Sequence, residues 1–411
     1  MFRVAITGLG AVTPVGNSVP EMWESIKTGK CGIGNITKFD TSEYKVKLAA
    51  EVKDFDPSLA MEKSEIRKSD RFSQFAMAAA VEAMNDSGLI SGENIAAERF
   101  GVYFGSGIGG METFINDVIK CHEGGPRKVS PFMIPAMIIN MAAGTIAIRF
   151  GCKGPAIPVV TACATSTNAI GEAYRAIKHG YADAVIAGGS EAAILPVSLA
   201  GFANMKALTE SEDPLRASIP FDKERSGFVM GEGAGVMILE EMEHARKRGA
   251  RIYGELCGYG STCDAHHITA PDPDAEGGAA AIRQAYEESG VKSDDIYINA
   301  HGTSTPLNDK SETVAIKKAL GEELAYRINV SSTKSMTGHM LGAAGAVEAI
   351  ISTLALNEGI VPPTIGLREQ DPECDLNCTP NVAVEKKLEL CLSTSLGFGG
   401  HNACVAIKKA D

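Results

Sequence analysis

The stretch Val159-Val160-Thr161-Ala162-Cys163-Ala164-Thr165-Ser166-Thr167-Asn168-Ala169-Ile170 decides the reading of this chain. Its β-branched opening predicts a strand that stops directly before Cys163, and a helical run over 168–179 follows. A strand that feeds a helix through a short turn is the building unit of α/β proteins. The turn sets a thiol at the positive end of a helix. Backbone N–H groups there favour a thiolate and are able to hold an oxyanion. The small neighbours Ala162, Ala164 and Ser166 leave room for a substrate. The stretch therefore predicts acyl chemistry on a sulfur.

The same alternation extends in both directions. Residues 3–6 read as a strand, followed by a glycine-containing loop over 8–17, and 73–87 read as a helix. Residues 100–105 form a strand that runs into Gly105-Ser106-Gly107-Ile108-Gly109-Gly110, and 184–187 form one that runs into Gly188-Gly189-Ser190-Glu191. Residues 236–240 and 252–258 look like antiparallel neighbours. Helix 277–289, strand 296–300, helix 311–320, strand 328–331 and helix 341–357 come next, and a final strand pair covers 383–388 and 403–408. This order predicts an α/β protein with mainly parallel or mixed sheets. A weak two-fold repetition changes over near 249–254, which divides the chain into halves 1–250 and 251–411. Helix 341–357 is rich in Ala and Gly and carries one acid, Glu348. Such a helix suits full burial between sheets, and Glu348 then needs a cationic partner.

Composition narrows the function. The chain has 411 residues, 45% of them apolar and 22% charged, enough for a large core or two halves. A formal charge of −12 argues against a nucleic-acid binder. It permits an acidic protein partner if the cations are gathered locally. The ten cysteines show no repeating spacing, and the first sixteen residues lack the basic and apolar regions of a signal peptide. The most apolar long stretch, 182–203, contains Asp183, Glu191 and Pro196 and is not a membrane span. A soluble, cytoplasmic protein with free thiols and no membrane association is expected.

Three polar sites follow predicted strand ends, where open α/β folds collect ligands. The first is Cys163. The second is Asn299-Ala300-His301-Gly302-Thr303-Ser304-Thr305. The third runs from Ser332 through Lys334 and His339 to Gly345. A lone cysteine is commonly inert packing and a lone histidine a structural group. One cysteine and two histidines at three strand ends instead predict a shared pocket. The loop Ser395-Leu396-Gly397-Phe398-Gly399-Gly400-His401-Asn402 reads as a mobile gate or as a tight turn before the last strand. Cys257, Cys263, His266 and His267 fit no common zinc spacing, so no metal is expected. Cys374 and Cys378 flank an acidic surface loop and read as unpaired thiols. Residues 105–110 lack the Lys-Ser/Thr of a phosphate loop.

Along nearly its whole length the chain resembles the β-ketoacyl-acyl-carrier-protein synthases, specifically the synthase II type of fatty-acid elongation. The resemblance rests on Val4-Ala5-Ile6-Thr7-Gly8-Leu9-Gly10, Thr161-Ala162-Cys163, Pro220-Phe221-Asp222 with Gly231-Glu232-Gly233-Ala234-Gly235, His301-Gly302-Thr303-Ser304-Thr305, residues 334–345, and residues 397–402. It implies a thiolase-like fold of two similar βαβαβαββ halves in a five-layered α-β-α-β-α sandwich, normally a homodimer. The N-terminal half would carry the nucleophile and the C-terminal half both histidines. Cys163 would attack an acyl thioester, with His301 and His339 completing a Cys-His-His triad. Lys334 and Glu348 would form a supporting charged pair. The N–H groups of Cys163 and Phe398 would make the oxyanion hole, and Phe398 would gate the site. Thr303 and Thr305 would hold the pantetheine arm. Ile108, Met133, Thr269, Gly399 and Gly400 would also meet the substrate. Lys63, Arg67 and Lys68, in one helical stretch with Arg71, would dock acyl-carrier protein together with Arg127, Lys128 and Lys206. No cofactor is implied, since 4′-phosphopantetheine arrives on the substrate.

Some positions depart from the family's commonest pattern: Leu396, His401, Ile219 and Met133, whereas Ile108 keeps it. They bear on chain length and gating and leave the triad untouched. A thiolase would use a second cysteine near the C-terminus, whereas this chain has His339 in the matching second-half motif. An initiating synthase would carry asparagine as its third group. A non-catalytic chain-length partner would lack Cys163. A polyketide ketosynthase shares the triad and is the nearest rival.

Overall fold

The protein is described from a computed structural model covering residues 1–410. Ten strands form one hydrogen-bonded sheet: β1 Val4–Val12, β2 Phe100–Gly105, β3 Ala156–Ile157, β4 Ala184–Glu191, β5 Gly233–Glu241, β6 Gly254–Cys263, β7 Ile296–Asn299, β8 Asn329–Ser331, β9 Leu390–Gly397 and β10 His401–Lys408. Their spatial order is β8-β7-β9-β10-β6-β1-β5-β4-β2-β3. That order is a palindrome. Each strand of the first five has a counterpart five places later. In both halves the outer strand pairs are parallel and the inner ones antiparallel. The halves join where β1 pairs antiparallel with β6, Val4 opposite Leu256.

Six helices complete the repeat: α1 Arg71–Ser87, α2 Asn140–Phe150, α3 Thr165–Lys178, α4 Glu276–Ser289, α5 Pro306–Leu320 and α6 Ala344–Glu358. Helices α3 and α6 touch each other and strands of both halves, so they form the central layer. Helices α1 and α2 cover the outer face of the first half, and α4 covers that of the second with α5 packed against it. The layers run α-β-α-β-α, and three main apolar clusters fill the spaces between them, the middle one reaching both sides of the central helices. Ile177, Ile350 and Ile351 belong to the middle one. Phe72, Phe100 and Phe104 fill the first and Ile282, Ile298 and Leu392 the third. Apart from Asn357 and Glu358 every residue of α6 is buried, as its Ala- and Gly-rich sequence predicted. Each fully buried aliphatic side chain there contributes about 1.5–3 kcal/mol.

The structure corrects several sequence expectations. The strand before Cys163 is only Ala156–Ile157, an edge strand, because Pro158 offers no N–H to continue the ladder. Helix α3 begins at Thr165 instead of residue 168. The loop expected over 8–17 is largely strand, since β1 continues to Val12 through a bulge between Ile6 and Gly8. Its glycines admit helix α1: a Cβ on Gly10 would lie 1.9 Å from the carbonyl oxygen of Ala79. The last hairpin pairs Leu390–Gly397, not 383–388, with β10. Cys374 and Cys378 are free, as expected, but buried rather than at the surface.

Candidate active site

Cys163 lies in a single 3-10 turn, Ala162–Ala164, that opens directly into α3. Ala162 holds φ +51°, a left-handed conformation costly for a residue with a Cβ. The surroundings fix it. Thr161 N–H donates to Thr165 Oγ1 at 2.9 Å, and Thr161 Oγ1 donates to Asn168 Oδ1 at 2.7 Å. Asn168 Nδ2 in turn donates to Tyr259 Oη at 2.6 Å, on β6 of the other half. The turn is thus pinned across the two-fold repeat.

The two histidines arrive from the second half. His301 follows β7, and its N–H donates to Glu312 Oε1 at 2.7 Å and Thr394 Oγ1 at 3.0 Å. Gly302 N–H donates to Glu312 Oε2 at 2.7 Å. His339 N–H donates to the carbonyl of Val229 at 2.7 Å. The rings meet edge to face, centroids 5.2 Å apart at 87°, and Phe228 packs on His339 at 5.3 Å. The Cys163 sulfur and one nitrogen of each ring lie within 4.8 Å of one another. Among the described residues, Nδ1 of each ring is buried without a hydrogen-bond partner, so no neighbour there fixes the tautomer.

Electrostatics define the resting state. Burial, then the Lys334 ammonium, hold both imidazoles well below the usual histidine range, and His339 adds to this for His301. Both rings are neutral near pH 7. Burial pushes the Cys163 thiol up to about 12, with Glu191 acting the same way. Lys334 and the N–H groups of Phe398 and Cys163 oppose this. The helix-end position alone therefore does not yield a resting thiolate. Those two N–H groups nonetheless converge on the sulfur, the arrangement an oxyanion hole needs. Lys334 forms a fully buried ion pair with Glu348 Oε1, while Glu348 Oε2 has no partner among the described residues. Burial raises the Glu348 carboxyl and Lys334 draws it back down. Three donors this close would also suit a divalent ion, but the ammonium whose field reaches all three disfavours a cation there.

These groups line a cavity of about 410 Å³ with Thr303, Thr305, Thr269, Phe398, Gly400 and Lys206. Thr303 Oγ1 and Thr305 Oγ1 are 3.0 Å apart, an ordered pair of hydroxyls at the wall. Residues 398–400 form the turn between β9 and β10. Gly399 N–H donates to the Ile268 carbonyl and Asp264 N–H to the Gly400 carbonyl, each at 2.8 Å, which ties this turn to the 264–270 loop. Ile108 lies beside the cavity in the apolar cluster that contains Cys163, Phe202, Phe228 and Leu341. Met133 and Gly399 are not among the lining residues. Met133 starts the short helix Met133–Met137, and Gly399 faces solvent.

The expected basic residues divide. Lys63, Arg67, Lys68, Arg127, Lys128 and Lys206 are all exposed. Lys68 Nζ lies 5.3 Å from the Phe132 ring, which links the first group to the segment after Arg127 and Lys128. They do not share one helix: Lys63–Ile66 is a single turn, Arg67 and Lys68 follow it, and Arg71 opens α1. Arg71 is stacked on Phe55 and Phe75 and is no part of a surface stripe. Sequence reasoning also missed Glu312 and Glu191, buried carboxylates that hold backbone N–H groups around the cavity. Their one signal was position: Glu312 lies on α5, 11 residues after His301, and Glu191 ends β4. Among the described residues no helix is long and apolar enough to cross a membrane.

A palindromic five-layered fold with a cysteine and two neutral histidines in one cavity defines a condensing enzyme of the thiolase type. Residues 1–245 match the family model "Beta-ketoacyl synthase, N-terminal domain", and residues 253–368 match "Beta-ketoacyl synthase, C-terminal domain". The chain belongs to the β-ketoacyl synthase family. It is 52% identical over 409 residues to the 3-oxoacyl-[acyl-carrier-protein] synthase 2 of Synechocystis sp., covering 99% of this chain and 98% of that one. A protein of the same name from Coxiella burnetii is 50% identical with the same coverage. A solved β-ketoacyl synthase from Burkholderia phymatum superposes with a TM-score of 0.92 at 33% identity, covering all of both chains. A type II polyketide ketosynthase solved in complex with its acyl-carrier protein gives 0.91, also at 33% identity and full coverage.

Proposed function

We propose that this chain elongates fatty acyl groups by decarboxylative Claisen condensation, acting on thioesters of acyl-carrier protein. The observation that carries the reading is the convergence of the Cys163 sulfur with His301 and His339 in one cavity. The roles follow from residue chemistry. The Cys163 thiol gives up its proton to a neutral imidazole as its sulfur attacks the acyl carbonyl, and the carrier thiol leaves. The N–H groups of Cys163 and Phe398 stabilise the oxyanion, and losing one such donor costs about 2.7–4 kcal/mol of barrier. Malonyl-carrier protein then binds and releases carbon dioxide. His301 and His339 donate N–H bonds to the enolate oxygen. The carbanion attacks the acyl-enzyme, the Cys163 thiolate departs, and a 3-oxoacyl thioester two carbons longer is released.

Lys334 and Glu348 set the field at the site, and Thr303 and Thr305 receive the polar pantetheine arm. The exposed cations Lys63, Arg67, Lys68, Arg127, Lys128 and Lys206 dock the carrier protein. The active form is a cytoplasmic homodimer that uses no cofactor of its own. The name shared by the relatives from Synechocystis sp. and Coxiella burnetii favours fatty-acid over polyketide extension, and the retained Cys163 argues against a chain-length partner without catalysis. Intact-mass analysis tests the assignment. Incubation with acyl-carrier-protein thioester is expected to leave an acyl adduct on Cys163 that malonyl-carrier protein discharges. An adduct on another cysteine, or one that malonyl-carrier protein leaves in place, would overturn it.

A further inference from the structure

Glu191 is a fully buried carboxylate to which the reaction above gives no role. It sits at the end of β4, and four donors surround it. Ser106 Oγ donates to Oε1 at 2.8 Å and Ile108 N–H to Oε1 at 3.2 Å. Gly107 N–H donates to Oε2 at 2.8 Å and Gly342 N–H to Oε2 at 3.0 Å. Burial raises the Glu191 carboxyl, and all four contacts, each a donor, draw it back toward the anion. Ser106 Oγ also accepts from Gly109 N–H at 2.9 Å, which stiffens the same turn.

Gly342 is the two-fold counterpart of Cys163. Both follow a residue with left-handed backbone, Ala162 at φ +51° and Leu341 at +47°. Both lie in a 3-10 turn that opens into a central helix, α3 or α6. In the second half an internal carboxylate thus takes the N–H that in the first half is left for substrate. The three donors from 106–108 belong to the N-terminal half and the fourth to the C-terminal half. The bonds meet beside the sulfur: a Cβ on Gly107 would lie 2.8 Å from Glu191 Oε2 and 3.6 Å from both the Ala162 carbonyl oxygen and Gly342 N. Ile108, whose N–H is held, packs in the apolar cluster with Cys163.

We infer that Glu191 is a positioning residue: it locks the 106–108 turn to the Leu341–Ala343 turn and sets where Ile108 closes the acyl pocket, and its charge adds to burial in disfavouring an anion on the neighbouring sulfur. The acyl-pocket part rests on the condensing function proposed above. The charged and titratable groups around the Cys163 sulfur are Lys334, Glu191, His301 and His339. Both imidazoles are neutral; Glu348 pairs with the ammonium itself, and Glu191 is the carboxylate whose charge acts on the sulfur against it.

Two substitutions separate charge from reach. Glu191→Gln removes the charge and presents an amide N–H to donors. Its Cys163 alkylation by iodoacetamide, followed by intact mass against pH, is expected to move its midpoint down by about one pH unit, a tenfold gain in thiolate at fixed pH. Glu191→Asp keeps the charge but falls short of Gly342. It is expected to keep the midpoint and to change which of short, medium and long acyl thioesters load onto Cys163. A folded Glu191→Gln with the parental midpoint overturns the electrostatic half, and Glu191→Asp with the parental length profile overturns the positional half. Should Glu191→Gln not fold, Ser106→Ala is expected to alter the length profile as Glu191→Asp does, and an unchanged profile would again overturn the positional half. If the parent protein takes up no acyl group at all, the condensing function falls, while the alkylation midpoint still judges Glu191.

Discussion

Lys334→Ala tests the buried ion pair in two ways at once. The substitution strands Glu348 in the central layer, where its second oxygen already lacks a partner among the described residues. Breaking a buried pair from one side costs about 3–5 kcal/mol, because an uncompensated charge remains. Unfolding entropy is about 2.1 cal/mol/K per residue. For the 411 residues here that is about 0.9 kcal/mol/K, so the melting temperature is expected to fall by about 3–6 °C. Lys334→Met with Glu348→Leu removes both charges and fills the space, so it should recover most of that loss. Activity should not recover with it. The ammonium lowers the Cys163 thiol and adds to burial in holding both imidazoles neutral, so both variants should acylate Cys163 more slowly at neutral pH. Calorimetry reads the first effect and burst acylation the second. A single variant that melts with the parent protein, or a double variant no more stable than the single one, would refute the account of the pair. Parental acylation in the double variant would refute the field at the site.

Reversing three exposed cations (Arg67→Glu, Lys68→Glu, Lys128→Glu) should raise KM for carrier-linked substrate by about an order of magnitude at low salt, flatten its salt dependence and leave kcat alone; unchanged kinetics would remove the docking surface. Acid should destabilise the fold through the two buried histidines. Their folded-state values lie well below the unfolded value near 6.5, so below that pH the unfolded chain binds protons that the folded one refuses. By pH 5.5 each costs about 1.4 kcal/mol, and His301→Leu with His339→Leu should lose that slope in denaturant titrations at two pH values. Gly345→Ala would bring a Cβ within 1.9 Å of Thr167 Oγ1 between the central helices. It should cost about 1–3 kcal/mol or more, and Thr167→Ala should restore part of it, as thermal melting would show.

The α/β alternation and the convergence of Cys163, His301 and His339 were legible because each motif follows a predicted strand end, while the order of the five layers came from the family resemblance. What stayed hidden was set by packing. Gly8 and Gly10 look like loop glycines, yet they serve a strand that helix α1 must touch closely. Ser393, Thr394 and Ser395 look too polar for a core strand, yet all three are buried in β9, where Thr394 donates to Glu312. Val159 and Val160 look like strand residues, yet Pro158 at the sheet edge ends the ladder before them. Arg71 looks like part of a basic stripe until Phe55 and Phe75 are seen beneath it. Glu191 and Glu312 carry no motif, since their partners are backbone N–H groups and one distant hydroxyl each, which only folding assembles.

The pairing of β1 with β6 gives the molecule a particular birth order. A ribosome delivers the sulfur more than a hundred residues before either ring, and the strands that complete the sheet come last. Until they dock, the nascent chain has a thiol with no imidazole beside it and the central helix α3 without its partner. Chemistry therefore begins only once the polypeptide is whole, and neither part cut from the other could turn over substrate alone.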